Sequence, residues 1–198
     1  AHVARGLREG ALWIFGALAL ILFASLVSYD RADPAFSSTG QPGPVTNLIG
    51  PFGAWLSDLF FVLFGLPAYL FPIMLGIAGY HLFQERGSRE PVDRRSASFR
   101  GLGFFLAPAS SCGLATLHFS GDGFPNTAGG VVGSLLGEGL ASSMSFLGAT
   151  LLLFAVWLGS VSLATGLWWF NVMDAVGTRV LRGYSFVRER LSERRDQS

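Results

Sequence analysis

Four long stretches of this chain carry no charge and are dominated by apolar residues: 10–29, 59–80, 101–117 and 146–170. A helix needs about 17–25 such residues to cross the hydrocarbon of a bilayer, so each stretch is predicted to be a membrane span. Only 14% of the 198 residues are charged, against about 25% in an ordinary soluble domain, and 26 are glycine. Lipid tolerates an apolar exterior, and close helix contacts in lipid favour small residues. The expected fold is therefore an all-α membrane protein with four transmembrane helices. The third stretch starts directly after Arg100 and contains Pro108 beside Ser110, Ser111 and Cys112, so a kink is expected there. No small-residue cleavage site follows Tyr29, and the first stretch reads as a retained anchor.

The arginines set the expected orientation. There is no lysine, and thirteen of the fourteen arginines lie before the first stretch, between the second and third, or after the fourth. Cytoplasmic loops keep positive charge during insertion, which places both termini in the cytoplasm. Arg31 is the exception, sharing the two outward segments with Asp30, Asp33, Asp58, Asp122 and Glu138.

The first outward segment is rich in Pro, Gly and Ser and is predicted to be irregular, tying spans one and two together. In the second, Gly129, Gly133, Gly137 and Ala141 recur every four residues and would form one smooth helix face. A short extra helix is predicted there, lying at the surface or re-entrant; a flexible Gly-rich loop is the alternative. That face is expected to meet another protomer or a partner protein. A second line of small residues, Gly103, Ala107, Ser111 and Ala115, marks one face of the third span. Packing inside the bundle and contact between protomers explain this line equally well.

Past Phe170 the pattern turns amphipathic, with Val172, Val176, Val180, Tyr184, Val187 and Leu191 at intervals of four and three. Residues 1–177 read as a membrane domain and 178–198 as an amphipathic cytoplasmic tail opening a linker. Trp168 and Trp169, with Arg179 and Arg182, are candidate contacts with the inner membrane surface.

Chemistry is hard to find. The spans hold no ionisable residue away from their ends, and Asp58 and His81 read as polar boundaries of the second span. His81, Cys112 and His118 do not share a metal-ligand spacing, and a single cysteine excludes an internal disulfide. No phosphate loop, nucleophile elbow or zinc-helix motif occurs. These residues predict no catalytic, cofactor or metal site. A small four-span transporter or channel subunit is the rival to a purely anchoring role.

The exit from the first stretch, Ser28-Tyr29-Asp30 followed by Asp33-Pro34, resembles that of the FtsK/SpoIIIE-type DNA translocases. The resemblance continues through Asn47, Gly50, Gly53, Asp58, Gly65 and Tyr69, and through the run from Gly166 to Asp174. Phe36 departs from the tryptophan frequent in that family. The resemblance implies the N-terminal membrane domain of a longer inner-membrane protein at the bacterial division septum. It further implies assembly with other copies as a hexamer and contact with cell-division proteins. A cytoplasmic motor outside this chain would use ATP and Mg and touch DNA, coordinating division with chromosome segregation. The present chain would then have no enzyme activity of its own.

Overall fold

A computed structural model describes residues 2–40, 43–85, 94–165 and 178. Its described elements are helices and connecting loops, without a strand. The expected contacts of Trp168, Trp169, Arg179 and Arg182, and the amphipathic tail, lie outside the described residues.

Helix α1 covers His2–Val27 and ends two residues before Tyr29. An irregular segment leads to α2, Gly50–Phe64, which starts with Pro51 where a missing N–H costs nothing. The predicted second span, 59–80, is not one helix. Gly65 breaks it with φ 58° and ψ −139°, a 3₁₀ turn Leu66–Tyr69 follows, and α3 runs over Leu70–Glu85. Gly65 can hold a backbone conformation that a side chain would disfavour, and Pro67 belongs to the turn that restarts the chain. Helix α4, Arg94–His118, encloses the third predicted span and remains helical through Pro108.

The predicted helix in the second outward segment is present, although not as a regular one. Helix α5, Gly130–Gly133, passes through a wider π turn at Ser134–Glu138 into α6, Gly139–Thr165. Within α6, Ser145 takes φ 74° and ψ 161°, so the chain changes direction before the fourth predicted stretch. Gly130–Thr165 is the described helical segment long and apolar enough to cross a membrane; Leu12–Val27, Gly50–Phe64 and Leu66–Tyr80 are shorter apolar helices.

Two antiparallel pairs organise the packing. In the first, Tyr69 donates its hydroxyl to the Leu26 carbonyl at 3.2 Å, and Gly79 lies against Phe15 ten residues further along. In the second, His118 faces Thr150 at 3.1 Å, Gly113 faces Leu153, and Gly103 faces Ser160, Leu163 and Ala164.

Helix α2 fits neither pair. Asn47, just before it, bonds to the Ser25 and Ser28 carbonyls, and Tyr69, just after it, returns to Leu26. The chain just before α2 thus meets the last turn of α1, whereas its far end meets the second half: Leu63 leaves no room for a Cβ on Gly130, and the Phe64 carbonyl accepts from the Cys112 thiol at 3.4 Å. Helix α2 therefore runs from one pair to the other across the bundle end instead of along α1. Phe61 anchors it, 1% exposed, with Leu22, Leu26 and Ala68 in one buried cluster. The Tyr29, Tyr69 and Phe124 rings surround Phe61 at centroid distances of 4.8, 5.6 and 5.4 Å. Such pairs contribute about 0.5–1.5 kcal/mol each beyond area burial.

The two halves share a plan. Gly50 donates its N–H to the Asn47 carbonyl at 2.8 Å, and Gly130 donates to Thr127 at 2.9 Å. Both glycines have positive φ, and fifteen residues after each comes a second positive-φ residue, Gly65 in one half and Ser145 in the other. Gly53 and Gly133 occupy the same step of their helices, as do Asp58 and Glu138.

Candidate functional site: a polar clasp at the loop end

The residues between α1 and α2 form a hydrogen-bonded clasp built on three side chains that are almost fully buried. Asp33 is 3% exposed, Asn47 4% and Asp58 1%. A buried carboxylate or amide is tolerated only when its polar atoms find partners, and each of these does.

Asp33 accepts the Thr46 N–H at 2.8 Å, the Thr46 hydroxyl at 3.2 Å and the Asn47 N–H at 3.0 Å. This closes the irregular segment into a loop and presents Asn47 to α1. The Asn47 amide then donates to the Ser25 carbonyl at 2.9 Å and the Ser28 carbonyl at 3.2 Å. Those carbonyls belong to the last turn of α1 and the residue just beyond it, where the helix leaves acceptors unmet. The Asn47 Oδ1 takes the Ile49 N–H at 3.0 Å. Ser28 donates its hydroxyl to the Ala24 carbonyl at 2.6 Å and accepts the Leu48 N–H at 3.0 Å. Gly53 leaves room for this arrangement, because a Cβ there would collide with Asn47 Oδ1 and with Ile49.

Asp58 fastens the other end. It accepts the Ser37 N–H at 2.5 Å, the Ser37 hydroxyl at 2.9 Å and the Tyr29 hydroxyl at 3.0 Å. Burial first, then the bond to Asp58 and its charge, push the Tyr29 phenol up to about 12. Asp58 was expected to mark a polar boundary of the second span; it is instead an interior acceptor on α2. Asp30 accepts the Ala32 N–H at 2.8 Å and turns the chain, and Pro34 packs where Gly40 leaves no room for a side chain.

The clasp reaches the second loop as well. Arg31 donates to the Phe124 carbonyl, Asn126 to the Val62 carbonyl at 3.4 Å, and Leu66 donates its N–H to Ala128 at 2.7 Å. A Cβ on Gly65 would collide with that same Ala128 carbonyl. Between the loops lies a cleft of about 340 Å³ lined by Tyr29, Asp30, Arg31, Asp33 and Asp58 among others.

The small-residue stripes find their partners within the chain. Gly129 and Gly133 lie on Cys112 and Thr116 of α4, and Gly137 lies on Gly113, whose carbonyl would be 2.7 Å from an added Cβ. The face expected to receive another protomer or a partner protein thus meets α4, because backbones this close leave no space for a further chain. Ala141, one turn on, is half-buried. On α4 itself, Gly103 seats α6, Ala115 is buried, and Ser111 returns its hydroxyl to the Ala107 carbonyl at 2.7 Å. Ala107 lines an apolar groove of about 180 Å³ among α3, α4 and α6.

Sequence reasoning missed Ser25, Ser37, Thr46 and Arg31 as members of the clasp. Ser37 and Thr46 are short polar side chains in a Pro, Gly and Ser-rich segment, Ser25 sits inside an apolar run, and Arg31 is a lone charge beside Asp30, so none of them carries a periodic signal. Asn47 and Asp33 were visible as parts of a resemblance, without the bond between them.

Apolar helices joined at one end by this clasp define an all-helical membrane domain without a recognisable reaction centre among the described residues. Residues 4–177 match the 4TM region of DNA translocase FtsK/SpoIIIE, and the chain belongs to that family. It is 38% identical over 173 residues to the DNA translocase FtsK of Pseudomonas syringae pv. tomato, covering 86% of this chain and 22% of that protein. Identity to the DNA translocase FtsK of Pseudomonas putida is 36% over 185 residues, 92% of this chain and 22% of that one. For the Vibrio parahaemolyticus DNA translocase FtsK it is 37% over 170 residues, 85% and 16% respectively. The chain thus spans about a fifth of the length of the curated relatives it matches. No solved structure matches it. Membership places the chain in the inner membrane, in a family tied to cell division and DNA translocation.

Proposed function

We propose that this chain is the membrane anchor and division-septum targeting domain of a longer DNA translocase. The observation that carries this reading is the family match over residues 4–177, where the chain spans only about a fifth of each relative. An anchor needs no catalytic groups. It needs a body that holds its place while a motor elsewhere pulls, and four spans resist extraction far better than one surface helix.

In this reading α1, the 66–85 segment, α4 and α6 from residue 146 onward cross the inner membrane, with both termini cytoplasmic. The distribution of arginine supports that orientation. The loop end carrying the clasp then faces outward and is offered to cell-division proteins, and other copies assemble around the same axis as a hexamer. ATP, Mg and DNA are engaged only by a motor outside these residues.

The test is a fluorescent fusion of residues 1–198 imaged in dividing cells of a related Pseudomonas. A midcell band is expected. Even staining of the whole envelope would remove the septal role and make transport through the membrane the next reading to pursue.

A further inference from the structure

We propose that α2 is an interfacial helix, lying in the outer-leaflet headgroup region with its Phe52 and Trp55 face, and Leu48 just before it, against lipid. This rests on the membrane-anchor reading given above.

Three observations carry it. The first is direction: the chain entering α2 is bonded to the last turn of α1, and its far end, Leu63 and Phe64, lies against Gly130 and Cys112 of the second half, so the helix runs across the bundle end where a span leaves the hydrocarbon. The second is the character of its outer face. Phe52 and Trp55, three residues apart, share one face of the helix and are 63% and 44% exposed, and Leu48, just before the helix, is 75% exposed beside them in sequence. The charged residue of α2, Asp58, is turned inward and satisfied by Tyr29 and Ser37, so the face has no charge of its own. Phe36 stands edge-on to Trp55 at 6.0 Å and adds a further exposed ring from the loop.

The third is continuity with the spanning surface. Leu20, Phe23 and Val27, spaced by three and four, give the end of α1 one exposed apolar side, and Leu48 is tied to Ser28, the residue after Val27. The apolar face therefore does not stop at the end of α1 but turns the corner onto α2. Water would meet three large side chains whose polar content is the Trp55 indole N–H alone, whereas an interfacial helix suits them: Phe and Leu enter the acyl boundary and Trp keeps its N–H at the headgroups. The other half repeats the arrangement: the stretch between Gly130 and Ser145 also lies across its own pair and exposes Val131 and Leu135. A device built twice to the same fifteen-residue plan argues against an accidental patch.

The experiment places one nitroxide at a time on the 198-residue chain in lipid nanodiscs, with Cys112→Ser as background. Labels go on Phe52→Cys and Trp55→Cys, with Leu18→Cys as the spanning control and Asp122→Cys as the aqueous control. Relaxation by oxygen, which concentrates in lipid, is compared with relaxation by a water-soluble nickel chelate. At 52 and 55 the oxygen-to-chelate ratio should be severalfold above that at 122 and below that at 18, since the helix sits near the headgroups. A ratio equal to that at 122 would overturn the proposal by showing that the face meets water. Exclusion of both reagents would overturn it equally, by showing that protein, a second copy included, covers the face. A chelate-accessible label at 18 would overturn the membrane-anchor reading itself, and this inference with it.

Discussion

Tyr29 and Asp58, twenty-nine residues apart in sequence, meet at 3.0 Å, the phenol donating to a carboxylate that is 1% exposed. The contact joins the exit of α1 to the middle of α2, and Ser37 brings the intervening loop to the same carboxylate. A single acceptor thus fixes three segments. Such a group specifies one arrangement, because any other would leave a charge buried without partners.

Removing that acceptor should therefore cost more than a typical substitution. Asp58→Ala strands the Tyr29 hydroxyl and both Ser37 donors, and it should destabilise the folded domain by about 3 kcal/mol. Asp58→Asn keeps an acceptor oxygen and should lose less. Reversible unfolding in mixed micelles orders the three proteins. Equal stability of Asp58→Ala and the parent would mean that Asp58 does not hold the clasp.

The raised phenol gives a pH signature. Folded Tyr29 titrates near 12, whereas an unfolded tyrosine does so near its ordinary value of about 10. Between these values the folded chain keeps a proton that the unfolded chain has lost. The contribution is therefore fully present below about pH 10 and is lost as pH rises toward 12. Tyr29→Phe lacks this term, so parent stability should fall more steeply than that of the variant when unfolding is followed at neutral pH and again at about pH 11. Parallel declines would separate Tyr29 from Asp58.

Glycine substitutions should divide by what lies beside each Cα. A side chain on Gly133 would press into the Cys112 carbonyl and the Thr116 hydroxyl of α4, and both groups are part of packed structure. Gly133→Ala should cost about 2 kcal/mol through overpacking, and Gly133→Leu should prevent the second pair from closing. Gly139, nearby on the same arm, has nothing within 4 Å of an added Cβ. Gly139→Ala should be neutral or stabilise by up to about 1 kcal/mol, since alanine favours a helix. Thermal unfolding in detergent with circular dichroism checks the contrast, which vanishes if residues 130–144 do not lie on α4.

These positions also show what could be read from the sequence. Apolar runs without charge announce helices for lipid, because nothing else in a short chain makes twenty uncharged residues tolerable. The i, i+4 spacing of Gly129, Gly133 and Gly137 announced a close approach, but spacing does not name the partner, which is α4 of the same chain. The division of the second run was harder to see. Leu59 to Tyr80 is uninterrupted by charge, and only Gly65-Leu66-Pro67 marks the place where α2 ends and the chain turns. Asp58 looked like a boundary because its main partner, Ser37, sits in a segment whose path is set by Asp33 and Thr46. Contacts between a loop and a helix twenty residues away leave no period to detect.

Ser145 supplies the last test, and its sign is opposite to the others. Of the four residues that bracket the two crosswise arms, Gly50, Gly65 and Gly130 are glycine and Ser145 is not, although its φ of 74° and ψ of 161° fall in a region essentially reserved for glycine. Its hydroxyl accepts the Gly148 N–H only at 3.5 Å, a weak cap with little to lose. Relief of a strained backbone is worth about 1–3 kcal/mol, less the added freedom glycine gives the unfolded chain, about 1 kcal/mol. Ser145→Gly should therefore stabilise the domain by about 1 kcal/mol, while Ser145→Val, branched at Cβ, should destabilise it by more than that. Unfolding in mixed micelles reads both. If Ser145→Gly proves less stable than the parent, residue 145 is not held in the strained conformation, and the turn that sends the second arm back into the bundle must be made elsewhere.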